Sequence, residues 1–139
     1  MMNPYDPYMH LYANPRGAGD QRPTALKIVQ DGQHLGNLMD KVILVTGGTG
    51  GIGEEIVRAL YQTGAQIYIT ARDLEKAKKV CEGIQDEDRK IGVIEMDMES
   101  LDSVKYGVAE FQKRSEKLNI LINNAGKCST GHLYHIVLD

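Results

Sequence analysis

The amino-acid sequence predicts an α/β fold in which helices cover both faces of a doubly wound parallel sheet. Three observations predict it: an apolar run of strand length, a regular alternation of strand-like and helix-like segments, and the absence of proline after Pro23. The run Val42–Val45 is apolar at every position, which is typical of a strand buried on both faces of a parallel sheet. Strands that alternate with helices through right-handed crossovers give the strand order 3-2-1-4.

Residues 1–40 are predicted to form an irregular arm in front of the sheet. All four prolines lie before residue 24, where the fixed backbone angle of proline interrupts regular structure. Residues 24–30 are predicted to form a short helix that begins at Thr24 as its N-cap. Residues 32–39 then connect this helix to the sheet.

Residues 41–126 are predicted to form the sheet in the order β-α-β-α-β-α-β, incomplete because only four strands are present. The predicted strands are residues 42–45, 66–70, 90–96 and 119–123. The predicted helices are residues 52–62, 74–84 and 100–117, with Asp73 and Ser100 as N-caps of the last two. Helical spacing predicts these inward-facing side chains: Ile52, Ile56, Val57 and Leu60 on the first helix, and Leu101, Val104, Val108 and Phe111 on the last.

A glycine-rich turn links the first predicted strand to the first helix. It reads Thr46-Gly47-Gly48-Thr49-Gly50-Gly51-Ile52-Gly53. Glycine lets the backbone turn tightly and approach a pyrophosphate, and the helix that follows offers free N–H donors and a partial positive charge. A flexible hairpin without function would not explain the buried strand before the turn and the helix after it. The sequence therefore predicts a Rossmann-type dinucleotide site.

The spacing T-G-x-x-x-G-I-G in this turn resembles that of the short-chain dehydrogenase/reductase family. Further motifs of that family follow, each directly after a predicted strand: Arg72 and Asp73, then Asp97 and Met98, then Asn123-Asn124-Ala125-Gly126. The resemblance covers residues 41–126. The chain is also similar to the retinol-dehydrogenase-like and WW-domain-oxidoreductase-like members of the family.

The resemblance implies that the matching positions bind a dinucleotide cofactor. These positions are Thr46, Gly47, Thr49, Gly50, Gly51, Ile52, Gly53, Arg72, Asp73, Asp97, Met98, Asn123, Asn124, Ala125 and Gly126. It also implies that Asp97 contacts the adenine, and that Asn123 and Asn124 hold the central sheet and border the cofactor. Asp97 as a cap for its own turn, and the two asparagines as turn formers, are the alternatives.

The residues after the second strand predict NADP, with NAD as the alternative. An Arg at this position neutralises a ribose 2′-phosphate, whereas an acidic residue bonds the 2′-hydroxyl of NAD. Arg72 comes first and is predicted to bind the phosphate, while Asp73 is predicted to cap the next helix. The alternatives are an ion pair of Arg72 with Glu75 or Glu82, and Asp73 as the residue that selects NAD.

The catalytic groups of the family are not found in this chain. The family uses a Ser and a Tyr-x-x-x-Lys pair to transfer hydride between NADP(H) and a carbonyl or alcohol, and no tyrosine here is followed by Lys four residues later. Residues 127–139 diverge from the family, so a C-terminal truncation is expected. Cys128, His132 and His135 are too few and too loosely spaced for a closed zinc site, so no metal is predicted. A catalytically inactive NADP(H)-binding module and a non-functional truncated gene product are the alternatives to an oxidoreductase.

Composition narrows the classes of partner. The net charge is -3, and the nearest basic group, Lys76, Lys78 and Lys79, is predicted to be a solvated helix face, so nucleic acid is not an expected partner. No apolar segment approaches the ~18 residues that span a bilayer, so no membrane contact and a cytoplasmic location are expected. The fourth strand would be an apolar edge, which predicts self-association.

Overall fold

The computed structural model describes residues 7–126, which fold as one parallel sheet flanked by helices. The strands are β1 (Val42–Val45), β2 (Gln66–Ala71), β3 (Gly92–Glu95) and β4 (Ile120–Ile122). The α-helices are α1 (Ala25–Asp31), α2 (Gly51–Tyr61), α3 (Leu74–Glu82) and α4 (Leu101–Arg114), and a short 3-10 helix spans Met9–Tyr12. None of the helices in the described residues is long and apolar enough to cross a membrane.

The strands lie in the order β3-β2-β1-β4 and every pairing is parallel, which confirms the predicted topology. Ile43 of β1 lies in register with Ile67 of β2 on one side and with Ile120 of β4 on the other. β2 and β3 therefore lie on one side of β1, whereas β4 lies on the other side, so the strand order reverses at β1. The carboxyl ends of the strands meet at one edge, where open α/β sheets bind their ligands.

Apolar side chains cover both faces of the sheet. On one face Ile43 and Val45 of β1 are fully buried together with Val57 of α2. On the other face Leu44 of β1 packs in a second cluster with Phe111 of α4. Successive β1 side chains point to opposite faces, and each finds a core there, so the predicted burial of β1 on both faces is confirmed.

The predicted N-caps are present. Thr24, Asp73 and Ser100 each accept a hydrogen bond from a backbone N–H of the first helical turn, at 3.1, 2.9 and 3.3 Å. These bonds satisfy donors that a helix leaves free at its start. The first turn of α2 differs, because Gly50 is its N-cap and no side chain caps it.

Some elements end earlier than predicted. The register of β3 with β2 ends at Glu95, opposite Ala71, although Met96 N still donates to Ala71 O at 3.0 Å. α4 ends at Arg114 rather than at residue 117, since Ser115 already has an extended backbone. Pairing partners and backbone angles set these ends, and neither is visible in the apolar pattern.

Three side chains predicted to face the core are exposed instead. Ile52 is 77% exposed and Leu101 is 70% exposed. Each lies in the first turn of a helix that begins at the carboxyl edge of the sheet, so its side chain projects beyond the strands. Val108 of α4 is 45% exposed, because it lies in a groove beside β4.

Cys81 of α3 is a core side chain. It is buried against the sheet, and burial raises the pKa of its thiol. The thiol therefore remains protonated at neutral pH and packs as a small apolar group. Cys128 lies outside the described residues.

β4 forms one edge of the described sheet, and its apolar side chains are accessible. Ile120 is 38% exposed and Leu121 is 49% exposed. The expected self-association through this strand stays a prediction.

The contrast between Ile52 and Val57 gives a test of the packing. Replacing Val57, which is 0% exposed, with Ala is expected to lower the free energy of unfolding by about 2 kcal/mol, through lost burial and a residual cavity. Replacing the exposed Ile52 with Ala is expected to change it by less than about 0.5 kcal/mol. Urea unfolding followed by circular dichroism measures both, and equal losses would contradict the assigned packing.

Candidate functional site

A cavity of about 430 Å³ opens at the carboxyl edge of the sheet, above the point where the strand order reverses. Most residues predicted to bind a cofactor line it: Gly47, Thr49, Gly50, Ile52, Gly53, Arg72, Asp97, Met98, Asn124, Ala125 and Gly126. The segments that follow all four strands contribute to this lining, because parallel strands end at the same edge.

The remaining predicted residues lie outside the lining: Thr46, Gly51, Asp73 and Asn123. Four lining residues were not predicted: Thr70, Ala71, Met96 and Glu99. Thr70 and Ala71 are the last residues of β2, and Met96 directly follows β3. The rule that ligands bind at the carboxyl ends of strands would have found these three, whereas motif matching passes over them.

The glycine-rich turn between β1 and α2 packs closely against β2 and against the start of α2. Gly47 has a left-handed backbone (φ +67°), and its N–H donates to Thr70 Oγ1 at 3.3 Å. Gly53 packs so closely that a Cβ built there would lie 2.3 Å from Gly47 O. The absence of a side chain at Gly53 is therefore required by packing within the protein, and not only by the approach of a ligand.

The N-terminus of α2 is a place where an anion can bind. Gly50, its N-cap, has an extended backbone and offers no side-chain oxygen to the helix. Gly50, Ile52 and Gly53 line the cavity, so the first turn of α2 faces it. Free N–H groups and the positive end of the helix dipole favour a phosphate here.

β1 and β4 are tied together beneath the cavity by Thr46 and Asn124. Thr46 Oγ1 accepts hydrogen bonds from the backbone N–H groups of Asn124 and Ala125, each at 3.0 Å. The Asn124 side-chain amide donates in return to Thr46 O at 3.0 Å and to Gly47 O at 3.1 Å. Thr46 is 5% exposed, so it supports the cavity from beneath through these hydrogen bonds and does not line the cavity.

Asn123 does not make these contacts among the described residues, and its role beside the cofactor stays a prediction. Asn123 is exposed and lines a separate groove together with Leu121. Side chains alternate along an extended chain, so Asn123 follows Leu121 to one face of the sheet, while Asn124 follows Ile122 to the opposite face. Asn124 alone of the pair borders the cavity.

Arg72 and Asp73 have different surroundings. Arg72 is exposed, lines the cavity and has no ion pair among residues 7–126, so the alternative of a pair with Glu75 or Glu82 is not formed. The Asp73 carboxylate accepts a hydrogen bond from Lys76 N at 2.9 Å. Asp73 is therefore directed to the start of α3, as the capping prediction requires, and away from the cavity.

Asp97 fulfils its alternative role and still borders the cavity. Its carboxylate accepts from Glu99 N at 3.0 Å, and its own N–H donates to Ser103 Oγ at 2.9 Å. The first bond caps the turn after β3, and the second ties that turn to α4. Met98 lies next to it on the rim and is 48% exposed.

No group of three or more His, Cys, Asp or Glu side chains within residues 7–126 is arranged to hold a metal ion. The sequence candidates Cys128, His132 and His135 lie outside these residues.

A family profile described as short chain dehydrogenase matches residues 41–136. Among curated proteins, the chain is similar to the short-chain dehydrogenase/reductase prx1 of Penicillium rubens, 43% identical over 119 residues, which are 86% of this chain and 35% of the relative. It is also similar to the oxidoreductase calI of Penicillium decumbens, 47% identical over 127 residues, which are 87% of this chain and 37% of the relative. The chain thus spans about a third of the length of these relatives.

Solved structures share the fold. A metagenomic short-chain oxidoreductase in complex with NADP is 29% identical, with a TM-score of 0.64 over 73% of this chain and 46% of that one. The Pseudomonas aeruginosa RhlG/NADP active-site complex is 30% identical, with a TM-score of 0.60 over 68% of this chain and 38% of that one.

Proposed function

The chain belongs to the short-chain dehydrogenase family, and from this premise we propose that its residues 41–126 bind NADP(H) for an oxidoreductase. The observation that carries the proposal is the uncapped first turn of α2, which faces a cavity at the carboxyl edge of the sheet. A diphosphate bound there would accept hydrogen bonds from backbone N–H groups of α2, as the capping side chains of the other α-helices do. Two of the similar structures are complexes with NADP, which supports the choice of ligand.

The order of the strands supports one direction for the cofactor. Arg72 follows β2 and Asp97 follows β3, so both lie to one side of the glycine-rich turn. Ala125 and Gly126 follow β4 on the other side. We expect the adenosine half to bind between Arg72 and Asp97, and the nicotinamide half to lie toward Gly126.

Arg72 is proposed to select NADP over NAD. Arg72 lines the cavity without an ion-pair partner among the described residues, and a planar guanidinium binds two phosphate oxygens at once. The residue that would select NAD, Asp73, has its carboxylate bonded to the backbone of α3.

The activity proposed for the whole protein is hydride transfer between NADP(H) and a carbonyl or alcohol. The cofactor supplies the hydride, and this chain's residues bind and orient it. A binding module without turnover is the second candidate, since the residues that line the cavity supply groups for binding a cofactor. Binding is common to both candidates and is tested first.

Titration calorimetry of the chain with NADPH and NADH tests the proposal. The wild type is expected to bind both, and NADPH more tightly. Replacing Arg72 with Ala is expected to weaken NADPH binding by roughly 10- to 100-fold, the range for a charge-assisted hydrogen bond, with little change for NADH.

Asp73→Asn is the matched control, because Asn also caps helices and only the charge is lost. It is expected to leave the affinities for both cofactors unchanged. A selective loss of NADH binding in Asp73→Asn would instead support the NAD alternative. If folded wild type took up neither cofactor, the proposed function would be wrong.

A further inference from the structure

One face of the sheet carries an apolar groove that no helix among residues 7–126 fills. The groove lies between α4 and β4 and has a volume of about 390 Å³. Its apolar lining comes from the sheet, from α4 and from the residues around β4, and includes Leu44, Val104, Val108, Phe111, Leu118 and Leu121. Val108, Leu118 and Leu121 are 45%, 41% and 49% exposed. The groove therefore leaves large apolar side chains accessible along its length.

The width of a helix explains why this part of the sheet is uncovered. α4 packs over β2 and β3, where the Phe111 ring meets the Tyr68 ring edge-on at a centroid distance of 5.1 Å. A helix with its side chains is about 10 Å wide and neighbouring strands lie about 4.8 Å apart, so one helix covers about two strands. α2 and α3 share the opposite face, whereas on this face the described residues supply only α4. Since parallel sheets are covered on both faces, a further segment is expected over β1 and β4.

The chain beyond Gly126 has the position and the composition to fill the groove. The described residues end at the carboxyl edge of the sheet, shortly after β4, where Asn123 lines the groove. Residues 127–132 are small or polar and suit a connection, whereas residues 133–138 are apolar apart from one histidine. Leu133, Ile136 and Val137 recur at the spacing that favours one apolar helix face. Six residues span roughly 9 Å as a helix, which is most of the roughly 13 Å length of a four-residue strand such as β1.

A second copy of the chain fits the groove less well. The helix that a second copy would bring to this face is α4, and its outward side is charged. The side chains of Asp102, Lys105 and Lys113 are 96%, 78% and 68% exposed there. Burying these charges against an apolar lining is unfavourable unless each finds a partner. The apolar segment of the same chain carries no such cost.

We infer that residues 133–138 of this chain dock into the groove between α4 and β4 and complete the cover of β1 and β4. The segment removes water from Val108 and Leu121 and buries its own apolar side chains in the same step, so both partners of the contact favour it. The inference concerns the packing of the chain on itself and does not rest on the proposed function.

Cysteine cross-linking of the full 139-residue chain tests the docking. Val108→Cys places a thiol in the groove and Ile136→Cys places one in the segment, in a Cys128→Ser background. Cys81 is 3% exposed, so folding protects it from the reagent. A short bismaleimide at low protein concentration is expected to join the two new thiols within one chain at least tenfold faster than in the matched control, which carries Tyr106→Cys in place of Val108→Cys. Tyr106 is 62% exposed and lies about 200° around α4 from Val108, away from the groove.

Mass spectrometry of the products distinguishes the outcomes. Equal cross-linking of Val108→Cys and Tyr106→Cys would mean that the segment has no fixed place on α4, and the inference would be wrong. Products that join two chains rather than one would show that a second copy occupies the groove, which also overturns it. If circular dichroism shows that the Val108→Cys variant does not fold, Leu121→Cys paired with Leu133→Cys repeats the test from the strand side of the groove. Failure of that pair to cross-link within one folded chain would rule out the docking.

Discussion

Replacing Gly50 with Asp is expected to weaken the binding of both NADPH and NADH by roughly 100-fold, because placing like charges together costs several kcal/mol. Gly50 is the N-cap of α2, where Asp is a favoured residue. Its backbone is extended (φ 171°), a conformation open to any residue, and a Cβ there would approach only the flexible end of Lys76. The new carboxylate would therefore cap α2 and repel a diphosphate from the same donors, without loss of fold.

Gly50→Asn separates the effect of the negative charge from the effect of placing any side chain at the N-cap of α2. Asn caps helices as well as Asp does but carries no charge, so it is expected to retain at least tenfold more affinity than Gly50→Asp. Calorimetry gives the affinities, and thermal melting checks that both variants remain folded. Unchanged cofactor affinity in Gly50→Asp would mean that the diphosphate does not bind at α2.

The position of the candidate site follows from the sequence because it depends on topology. An apolar run such as Val42–Val45 identifies a buried parallel strand, and the motif that follows each such run must lie at the shared carboxyl edge. Gly47, Arg72, Asp97 and Asn124 reach the same cavity for this reason. The role of a capping residue such as Asp73 can also be predicted from the sequence, since it depends only on neighbours within one helical turn.

The details that the sequence did not predict depend on directions of side chains in space. Helical spacing places Ile52 on the apolar face of α2. The start of α2 lies beyond the strands, so this side chain does not pack against the sheet. Asn123 and Asn124 are identical in type, and only the alternation along β4 decides which one bonds to β1. The approach of the Lys76 side chain on α3 to Gly50, in the turn after β1, brings together two segments that no local sequence pattern connects.

Replacing Gly53 with Ala is expected to lower the free energy of unfolding by roughly 3 kcal/mol, the upper part of the range for overpacking. The new Cβ would lie 2.3 Å from Gly47 O and 2.5 Å from Asn124 Nδ2. These atoms belong to the bonds that join β1 to β4, since Asn124 Nδ2 donates to Gly47 O. Helix propensity alone would predict the opposite sign, a gain of about 0.5–1 kcal/mol for Gly to Ala, so the sign of the change decides which effect dominates.

Gly50→Ala is the control for the loss of a glycine in the same turn. It is expected to change stability by less than about 0.5 kcal/mol, because its Cβ would meet only the flexible end of the exposed Lys76 side chain, which can move aside. A double-mutant cycle with Asn124→Ala then locates the strain. One route for Gly53→Ala is displacement of the Asn124 amide, in which case either change breaks the same bonds. The double variant is then expected to lose less stability than the two single variants lose in sum. Full additivity would assign the strain to Gly47 O alone, and a stabilised Gly53→Ala variant would contradict the close contact between α2 and the turn.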